Sequence, residues 1–305
     1  MAAPILLTRE TVTYKVDKTE TPRLEVAPGT ELMIETHDAR AGRLKRPEQV
    51  METAPDFRDK YPKSNPATGP IKVTGAEPGD ALVVDVLGIA LDDYGFLLVK
   101  PDFGLVRNLV NDPIAKILPV KDGVIHFDNL RFPVRPMIGV MATAPAGEPI
   151  GTAYCGKHGG NMDNNAIAVG ARVHLPVRVP GGHFYIGDVH ASMGDGEVSG
   201  TGVEIGARVH VRIGLEKGKA RDWPWLETPD LLIQTASAKT FEEASEIAVM
   251  EMMKHLEERL GLKATDAFML VSAVGHVRVN QACRSPIDVS VRCEMPKLNA
   301  GLTAI

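Results

Sequence analysis

Hydrophobic and polar residues alternate along most of the chain. Residues 171–177 place Ala, Val, Leu and Val on one face of an extended segment and Arg, His and Pro on the other, and residues 205–213 repeat this pattern. Alternation with a period of two predicts half-buried strands. Further strands are predicted at residues 12–16, 31–37, 81–91, 123–127, 137–143, 183–189 and 287–294. So many strands, separated by Gly- and Pro-rich turns, predict a mainly β fold with a sandwich-like, jelly-roll-like or barrel-like body.

Helical spacing is found in the last third of the chain. Thr240 and Glu243 form a capping box, and apolar residues then recur at helical spacing until Gly261. This pattern predicts one long helix over residues 240–260, and a second, shorter helix is predicted over residues 266–273. We therefore divide the chain into a β-rich body, residues 1–220, and a smaller α+β portion, residues 221–305, packed closely on it. The Pro-rich residues 42–70 are predicted to form an extended loop.

Charge and composition exclude several classes of protein. The net charge is −5, so no excess of basic residues is present to neutralise phosphates, and nucleic acid is not an expected partner. No signal peptide is visible and no apolar run approaches the ~20 residues that span a bilayer, so we expect a soluble, cytoplasmic protein with no membrane partner. Three cysteines without a CxxC pair argue against a disulfide framework. We expect Cys283 and Cys293 to be reduced, with Cys293 facing inward.

Five of the nine histidines fall within residues 158–210. His174 and His210 stand beside arginines on the polar faces of their strands, which predicts solvated positions. Asp188 and His190 differ: they lie two residues apart in a Gly-rich stretch, so in an extended chain both side chains project from the same face. This spacing suits two ligands of one metal ion.

Three other short segments carry candidate chemistry. Asp195 and Glu197 stand in the sequence GDGE, whose glycines allow backbone N–H groups to approach a substrate, although Asp-Gly is also typical of a simple hairpin turn. Asn161 and Asp163 follow a Gly-Gly pair, where Asn can donate to a carbonyl oxygen and Asp can act as ligand or base, or both can form an Asx turn. A third pair, His37 and Asp38, ends a predicted strand.

The motifs ETHDA, PAGEPIGT, HGGNMDNN, GGHFYIGDVHASMGDGEVSGTGVE and SAVGHVRVNQ resemble the acetamidase/formamidase family, in this order along nearly the whole chain. The resemblance implies a cytoplasmic hydrolase of short linear amides, with a largely β fold and a homo-oligomeric, dimeric assembly. It also implies a metal, Zn²⁺, bound by residues of those motifs, and it allows an additional structural Ca²⁺ ion. Met193 replaces an expected Gln and His276 an expected acidic residue.

Together these residues predict a metal-assisted amidase site. The candidate metal ligands are His37, Asp38, Asp163, Asp188 and His190. Glu197 is the candidate general acid or base, Asn161 and glycine amides are expected to stabilise the oxyanion, and Asp195 is a further catalytic candidate. Because tetrahedral zinc takes four ligands, one or two of these side chains must serve another purpose.

Two alternatives remain open at the level of sequence. Cys155 has Lys157 and His158 beside it, which could lower the pKa of a thiol nucleophile. The residues Asp188, His190 and Glu197 also have a superficial similarity to the metal motif of cupins, which would make the chain a non-catalytic metal- or ligand-binding β module. Turnover of a simple amide separates an enzyme from such a module.

Overall fold

A computed structural model describes residues 3–282, 288–298 and 302. The predicted mainly β class is confirmed. Within the described residues, eighteen strands join one large, curled and mainly antiparallel sheet, while β2 and β11 pair with each other separately. The strands are, in chain order, β1 (Ile5–Leu7), β2 (Lys15–Val16), β3 (Leu24–Val26), β4 (Thr30–Thr36), β5 (Ala67–Val73), β6 (Ala81–Val99), β7 (Ile114–Lys121), β8 (Val124–Phe127), β9 (Leu130–Pro133), β10 (Met137–Thr143), β11 (Ile150–Gly151), β12 (Cys155–Gly156), β13 (Gly159–Asn161), β14 (Arg172–Pro176), β15 (Phe184–His190), β16 (Glu204–Glu216), β17 (Trp225–Glu227), β18 (Leu231–Ala238), β19 (His276–Gln281) and β20 (Val289–Pro296).

The longest strands form the middle of the sheet. Strand β6 pairs with β14, β16 and β7, and β16 pairs in addition with β4. The apolar residues of these strands face a common core, as their period of two predicts. His174 corrects one expectation: it is 4% exposed, because the ring of Trp225 from the neighbouring strand β17 stacks on it with ring centroids 3.7 Å apart. His210 is half-buried and contacts Glu31.

The predicted long helix is confirmed as α1 (Phe241–Leu260), followed by α2 (Ala264–Val274). The Thr240 hydroxyl accepts a hydrogen bond from the N–H of Glu243, and the helix ends at Gly261 with a φ of 67°. Helix α1 packs on β18 and β20, and α2 packs on β20, where Cys293 is fully buried as expected. Cys283 lies outside the described residues. Strand β17 pairs with β14 of the body and with β18, so the sheet continues from the body into the C-terminal portion.

The segment between β4 and β5 is largely irregular, as predicted, and contains one short 3₁₀ helix, Pro47–Val50. None of the helices in the described part of the chain combines the length and apolarity needed to cross a bilayer.

Candidate metal and active site

Four acidic side chains surround one histidine inside the sheet. Asp188 and His190 lie at the end of β15, Glu204 begins β16, Asp163 follows β13, and Glu197 lies in the loop between β15 and β16. None of the five is more than 5% exposed. We call these five residues the acid cluster. A buried charge is costly unless it is paired or binds a metal, so this cluster is a candidate functional site.

His190 is the centre of the acid cluster. Its Nε2 lies 3.1 Å from Glu204 Oε1, 3.7 Å from Asp188 Oδ2 and 4.0 Å from Asp163 Oδ1. The possible ligand atoms form two overlapping groups, Asp163–His190–Glu197 and Asp188–His190–Glu204, and within each group the atoms lie within 4.8 Å of one another. Ligands of a tetrahedral zinc ion are ~3.3 Å apart, so small side-chain movements would close either group around an ion.

The backbone at the acid cluster adopts a conformation that favours glycine. Asp163, Asp188 and Glu197 have φ values of 44°, 53° and 43°. Each such residue costs on the order of 1–3 kcal/mol, and strain of this kind concentrates at functional sites. Three strained acids in one cluster therefore point to a site whose side-chain directions matter more than local stability.

Two asparagines orient the two aspartates. Asn65 Nδ2 donates to Asp188 Oδ2 at 2.6 Å and to Asn161 Oδ1 at 3.1 Å. Asn161 Nδ2 in turn donates to Asp163 Oδ2. Each aspartate thus has one oxygen held by an amide. In Asp163 the other oxygen, Oδ1, lies nearer His190, whereas in Asp188 the held oxygen, Oδ2, is itself the one near the imidazole.

Gln281, from the C-terminal portion, holds the other side of the acid cluster. Its Nε2 donates to Asp163 Oδ2 and to Glu197 Oε2, the latter at 2.9 Å. Glu197 Oε1 accepts a hydrogen bond from the backbone N–H of Gly202 at 3.0 Å. Both oxygens of Glu197 are therefore held by donors.

Three buried carboxylate oxygens of the acid cluster have no hydrogen-bond partner among the described residues. They are Asp163 Oδ1, Asp188 Oδ1 and Glu204 Oε2. Buried polar atoms are almost always paired, so three unpaired oxygens in one cluster need a physical reason. A cation bound within the cluster would supply a partner for unpaired oxygens.

Two glycines make room for the cluster. A Cβ at Gly139, in β10, would lie 2.6 Å from Asp163 Oδ1 and 2.9 Å from Asp188 Oδ2. A Cβ at Gly202 would overlap the ring of His190. Side chains at these positions would displace the acids or the imidazole, so the sequence requires glycine here for packing around the cluster.

The cluster carries an excess of negative charge. Burial and the neighbouring carboxylates raise the pKa values of Asp163 and Glu204 well above their ordinary range. Burial alone would lower the pKa of His190, but Glu204 and Asp188 raise it well above the ordinary value. Both effects show that the carboxylates repel one another and attract positive charge, which favours binding of a cation.

A narrow cavity of about 30 Å³, enough for roughly two water molecules, reaches the cluster. Part of its lining is polar and part is aromatic and aliphatic. The polar part includes Arg40, Asn65, Asn161, Glu197, Glu204 and Gln281, and the other part includes Phe57, Phe96, Leu98, Phe103 and the side chain of Lys100.

Phe57, Lys100 and Phe103 shape the mouth of the cavity. Lys100 Nζ lies 3.7 Å from the centroid of the Phe103 ring and 4.6 Å from that of Phe57. Gly200 has a φ of 86°, and a Cβ there would overlap the Phe103 ring. The glycine therefore allows this ring to lie across the entrance.

Comparison with known proteins shows the family of the chain. The model of the Acetamidase/Formamidase family matches residues 18–153 and 146–296. The chain belongs to the acetamidase/formamidase family. It is similar to a formamidase of Methylophilus methylotrophus, with 28% identity over 230 residues, 56% of each chain. The match thus spans about half the length of this curated relative.

Two solved structures align with nearly the whole chain. The acetamidase of Bacillus halodurans has a TM-score of 0.89 and 34% identity, covering 96% of this chain and 97% of its own. A predicted acetamidase/formamidase of Thermoanaerobacter tengcongensis has the same TM-score and identity, covering 96% and 95%. The mainly β fold is thus shared with both structures.

The Gly-rich motifs that resemble this family converge at the site. GGNMD contributes Asn161 and Asp163, GDVHA contributes Asp188 and His190, and GDGE contributes Glu197.

Other predicted candidates lie elsewhere. Asp195 forms ion pairs with Arg292 at 2.8 Å and Arg278 at 3.3 Å and is not part of the acid cluster. His276 begins β19 with an exposed side chain.

The family motif ETHDA is placed in a separate cavity. His37 and Asp38 line it together with Arg9, Asp92 and Tyr94. Asp38 Oδ1 accepts the backbone N–H groups of Arg40 and Gly42 at 2.8 and 3.0 Å. The structure does not bring this pair into either group of possible ligands around His190.

Four residues of the site escaped the sequence analysis: Arg40, Asn65, Glu204 and Gln281. Glu204 carried a usable signal, because it ends the longest Gly-rich family motif and opens an apolar strand. The other three come from distant segments, and only the folded chain brings them to the acid cluster.

Cys155 has none of the features of an activated nucleophile. Burial raises the pKa of its thiol to about 11, although the hydroxyl groups of Ser237 and Ser290 oppose this shift. A nucleophilic thiol needs a lowered pKa. His158 also has a pKa lowered by burial, to about 4, so it is neutral and places no positive charge near the thiol.

Proposed function

We propose that this protein hydrolyses short linear amides to ammonia and a carboxylic acid with the help of a bound divalent metal ion. One observation carries the proposal: two overlapping groups of possible metal ligands share His190 inside the acid cluster. The names of the relatives, formamidase and acetamidase, support the reaction and the substrate class.

The donor set fits a divalent ion. His190 with the carboxylates of Asp188 and Glu204 would hold it, and Asp163 belongs to the overlapping group of possible ligands around the same imidazole. We propose zinc, which accepts nitrogen and oxygen ligands. When bound, such an ion supplies Lewis acidity, which polarises a carbonyl group and lowers the pKa of water.

Glu197 is the proposed general acid and base. Burial raises the pKa of its carboxyl above the ordinary range and so brings this pKa closer to neutral pH, as suits a group that both takes up and releases a proton. Gln281 and the N–H of Gly202 fix its orientation. In the net reaction one water adds to RCONH₂ and the C–N bond breaks. Glu197 takes a proton from the water and delivers it to the leaving nitrogen, which gives RCOOH and NH₃.

Asn161 has a positioning task in this proposal. Its amide nitrogen donates to Asp163 and its oxygen accepts from Asn65. We therefore propose that Asn161 orients Asp163 and that another residue contacts the oxyanion.

The cavity limits the proposed substrates to small amides. A volume of about 30 Å³ behind an aromatic mouth suits an acyl group of one or two carbons. The polar lining residues suit the amide group, and the apolar lining residues suit a hydrogen or methyl substituent.

Ammonia release from formamide and acetamide tests the function. We expect turnover by the purified protein, loss of turnover after removal of metal by a chelator, and recovery on addition of Zn²⁺. Metal analysis of the purified protein identifies the resident ion. Cys155→Ala is the control and should remain active. Bound metal without any turnover would support a binding module instead, and an inactive Cys155→Ala that retains its metal would support the thiol mechanism.

We further propose, from the family resemblance, that the protein is a cytoplasmic homodimer and that a structural Ca²⁺ ion accompanies the catalytic ion. Light scattering of the purified protein measures the oligomeric state, and metal analysis reports calcium together with zinc.

A further inference from the structure

Arg40 is a buried cation aimed into the active-site cavity. It lies in the tight loop after β4, where Asp38 accepts the backbone N–H groups of Arg40 and Gly42. The next residue, Ala41, has a φ of 56°. This loop turns the Arg40 side chain inward, where it is 5% exposed and lines the cavity beside Glu204 and Asn161.

Two of the three guanidinium nitrogens of Arg40 are not paired. Its Nε and Nη1 atoms are buried and have no hydrogen-bond acceptor among the described residues. A buried arginine is normally held by a carboxylate or by backbone carbonyls, because its desolvation is costly. Here the nearby acids, Glu204, Asp38 and Asp188, attract it through their charge. An oxygen-bearing ligand in the cavity would supply the missing acceptor.

We propose that Arg40 contacts the substrate: its guanidinium binds the carbonyl oxygen of the amide and the carboxylate of the acid product. This inference rests on the proposed function. As water adds to the carbonyl carbon, the π electrons of C=O move to oxygen, and a fixed cationic donor stabilises the charge that develops there. After the C–N bond breaks, the same planar donors match the two oxygens of a short carboxylate.

A purely structural role predicts a different behaviour. If Arg40 served only to balance the four carboxylates, its removal would change metal affinity or stability and leave ligand binding intact. Binding of the product therefore separates the two roles, and it can be measured without turnover.

The experiment compares wild type, Arg40→Gln, Arg40→Lys and the control Lys45→Gln, all as purified with their metal. Lys45 is an exposed cation of the same segment, so its substitution removes the same charge outside the active-site cavity. Calorimetric titration with sodium acetate and with sodium formate measures carboxylate binding, while metal analysis and thermal unfolding report on the site and the fold.

We expect Arg40→Gln to weaken acetate binding about 10- to 100-fold, as loss of hydrogen bonds to a charged group predicts. Its kcat/KM for acetamide should fall about 10²- to 10³-fold with unchanged metal content. The acetate affinity and the kcat/KM of Arg40→Lys should lie between those of Arg40→Gln and wild type, because lysine keeps the positive charge but lacks the two parallel N–H donors of the guanidinium. Arg40→Lys also serves as the test if Arg40→Gln does not fold.

Unchanged acetate affinity in folded Arg40→Gln or Arg40→Lys would overturn the inference. A wild-type protein that hydrolyses no amide, yet binds acetate in an Arg40-dependent manner, would refute the proposed function and retain Arg40 as a carboxylate-binding residue.

Discussion

His190 and Glu204 face each other directly across β15 and β16, with Nε2 of the imidazole 3.1 Å from Oε1 of the carboxylate. Antiparallel pairing fixes both residues through the backbone, so their separation depends on the sheet itself. The rest of the acid cluster is arranged around this pair, so we expect Glu204 to matter as much as Asp188.

Substitution of either member of this pair should remove the metal. We expect His190→Ala and Glu204→Gln to lose bound metal and all measurable ammonia release while the circular dichroism spectrum stays that of wild type, because each change removes one ligand. Glu31→Gln is the control, since Glu31 pairs with Arg212 away from the cluster. Full metal content in Glu204→Gln would exclude Glu204 as a ligand.

Glu197→Gln should separate catalysis from metal binding. Both Glu197 oxygens are held by donors within the protein, so we expect the metal to stay bound. The rate constant kcat for acetamide should fall about 10²- to 10⁴-fold, as loss of a general acid–base group predicts. Loss of metal together with activity would make Glu197 a ligand instead.

Gly139→Ala tests the close packing of the two aspartates. The added methyl group would press on Asp163 Oδ1 and Asp188 Oδ2. We expect at least about a 10²-fold loss of kcat/KM, because a displacement near 1 Å is enough to disrupt a catalytic arrangement. Gly147→Ala is the matched control, since a Cβ there meets no atom within 4 Å. Equal activity of the two variants would contradict the packing argument.

Phe103→Ala should widen the range of substrates. Removing the ring that crosses the mouth is expected to raise kcat/KM for butyramide relative to acetamide by about 10-fold or more, the scale at which pockets discriminate methylene groups. Phe268→Ala, an exposed position on α2, serves as the control. An unchanged ratio would show that another part of the cavity limits substrate length.

Buried neutral histidines make stability depend on pH. Burial lowers the pKa of His174 to about 4, whereas an unfolded chain has a value near ~6.5. Above pH ~6.5 the ring is neutral in both the folded and the unfolded state. As the pH falls towards 4, the unfolded chain binds a proton that the folded protein does not, so the free energy of unfolding decreases by about 3 kcal/mol in total. His174→Phe keeps the stacking on Trp225 and should reduce the loss of thermal stability between these pH values. His276→Gln, at an exposed position, should not.

The sequence predicted strands and helices well where alternation or capping residues mark them. Period-two patterns located β14 and β16, and capping residues located α1. Strand β18 was missed, because its sequence LLIQTASA lacks alternation. The solvated prediction for His174 failed because the local pattern does not reveal that Trp225 of the neighbouring strand stacks on the imidazole ring.

Within the site, spacing identified Asp188 and His190 because they are neighbours in the chain. Arg40, Asn65 and Gln281 are separated from them by long stretches of sequence, and single Arg, Asn and Gln residues occur throughout the chain. Only the tertiary structure shows that these three residues lie at the site. The converse holds for His37 and Asp38, which form a local pair that the fold places in another cavity.

Gln281 has a consequence for how this protein can be divided. The strand that carries it forms a bridge with Gly196 in the loop of Glu197, and its amide holds Asp163 and Glu197 together. A chain that ended at residue 220 would keep every residue of the acid cluster and lose the donor that joins two of them. The C-terminal portion therefore cannot be exchanged by itself. In a chimera of two relatives, β19 and the loop that carries Glu197 would have to come from the same parent.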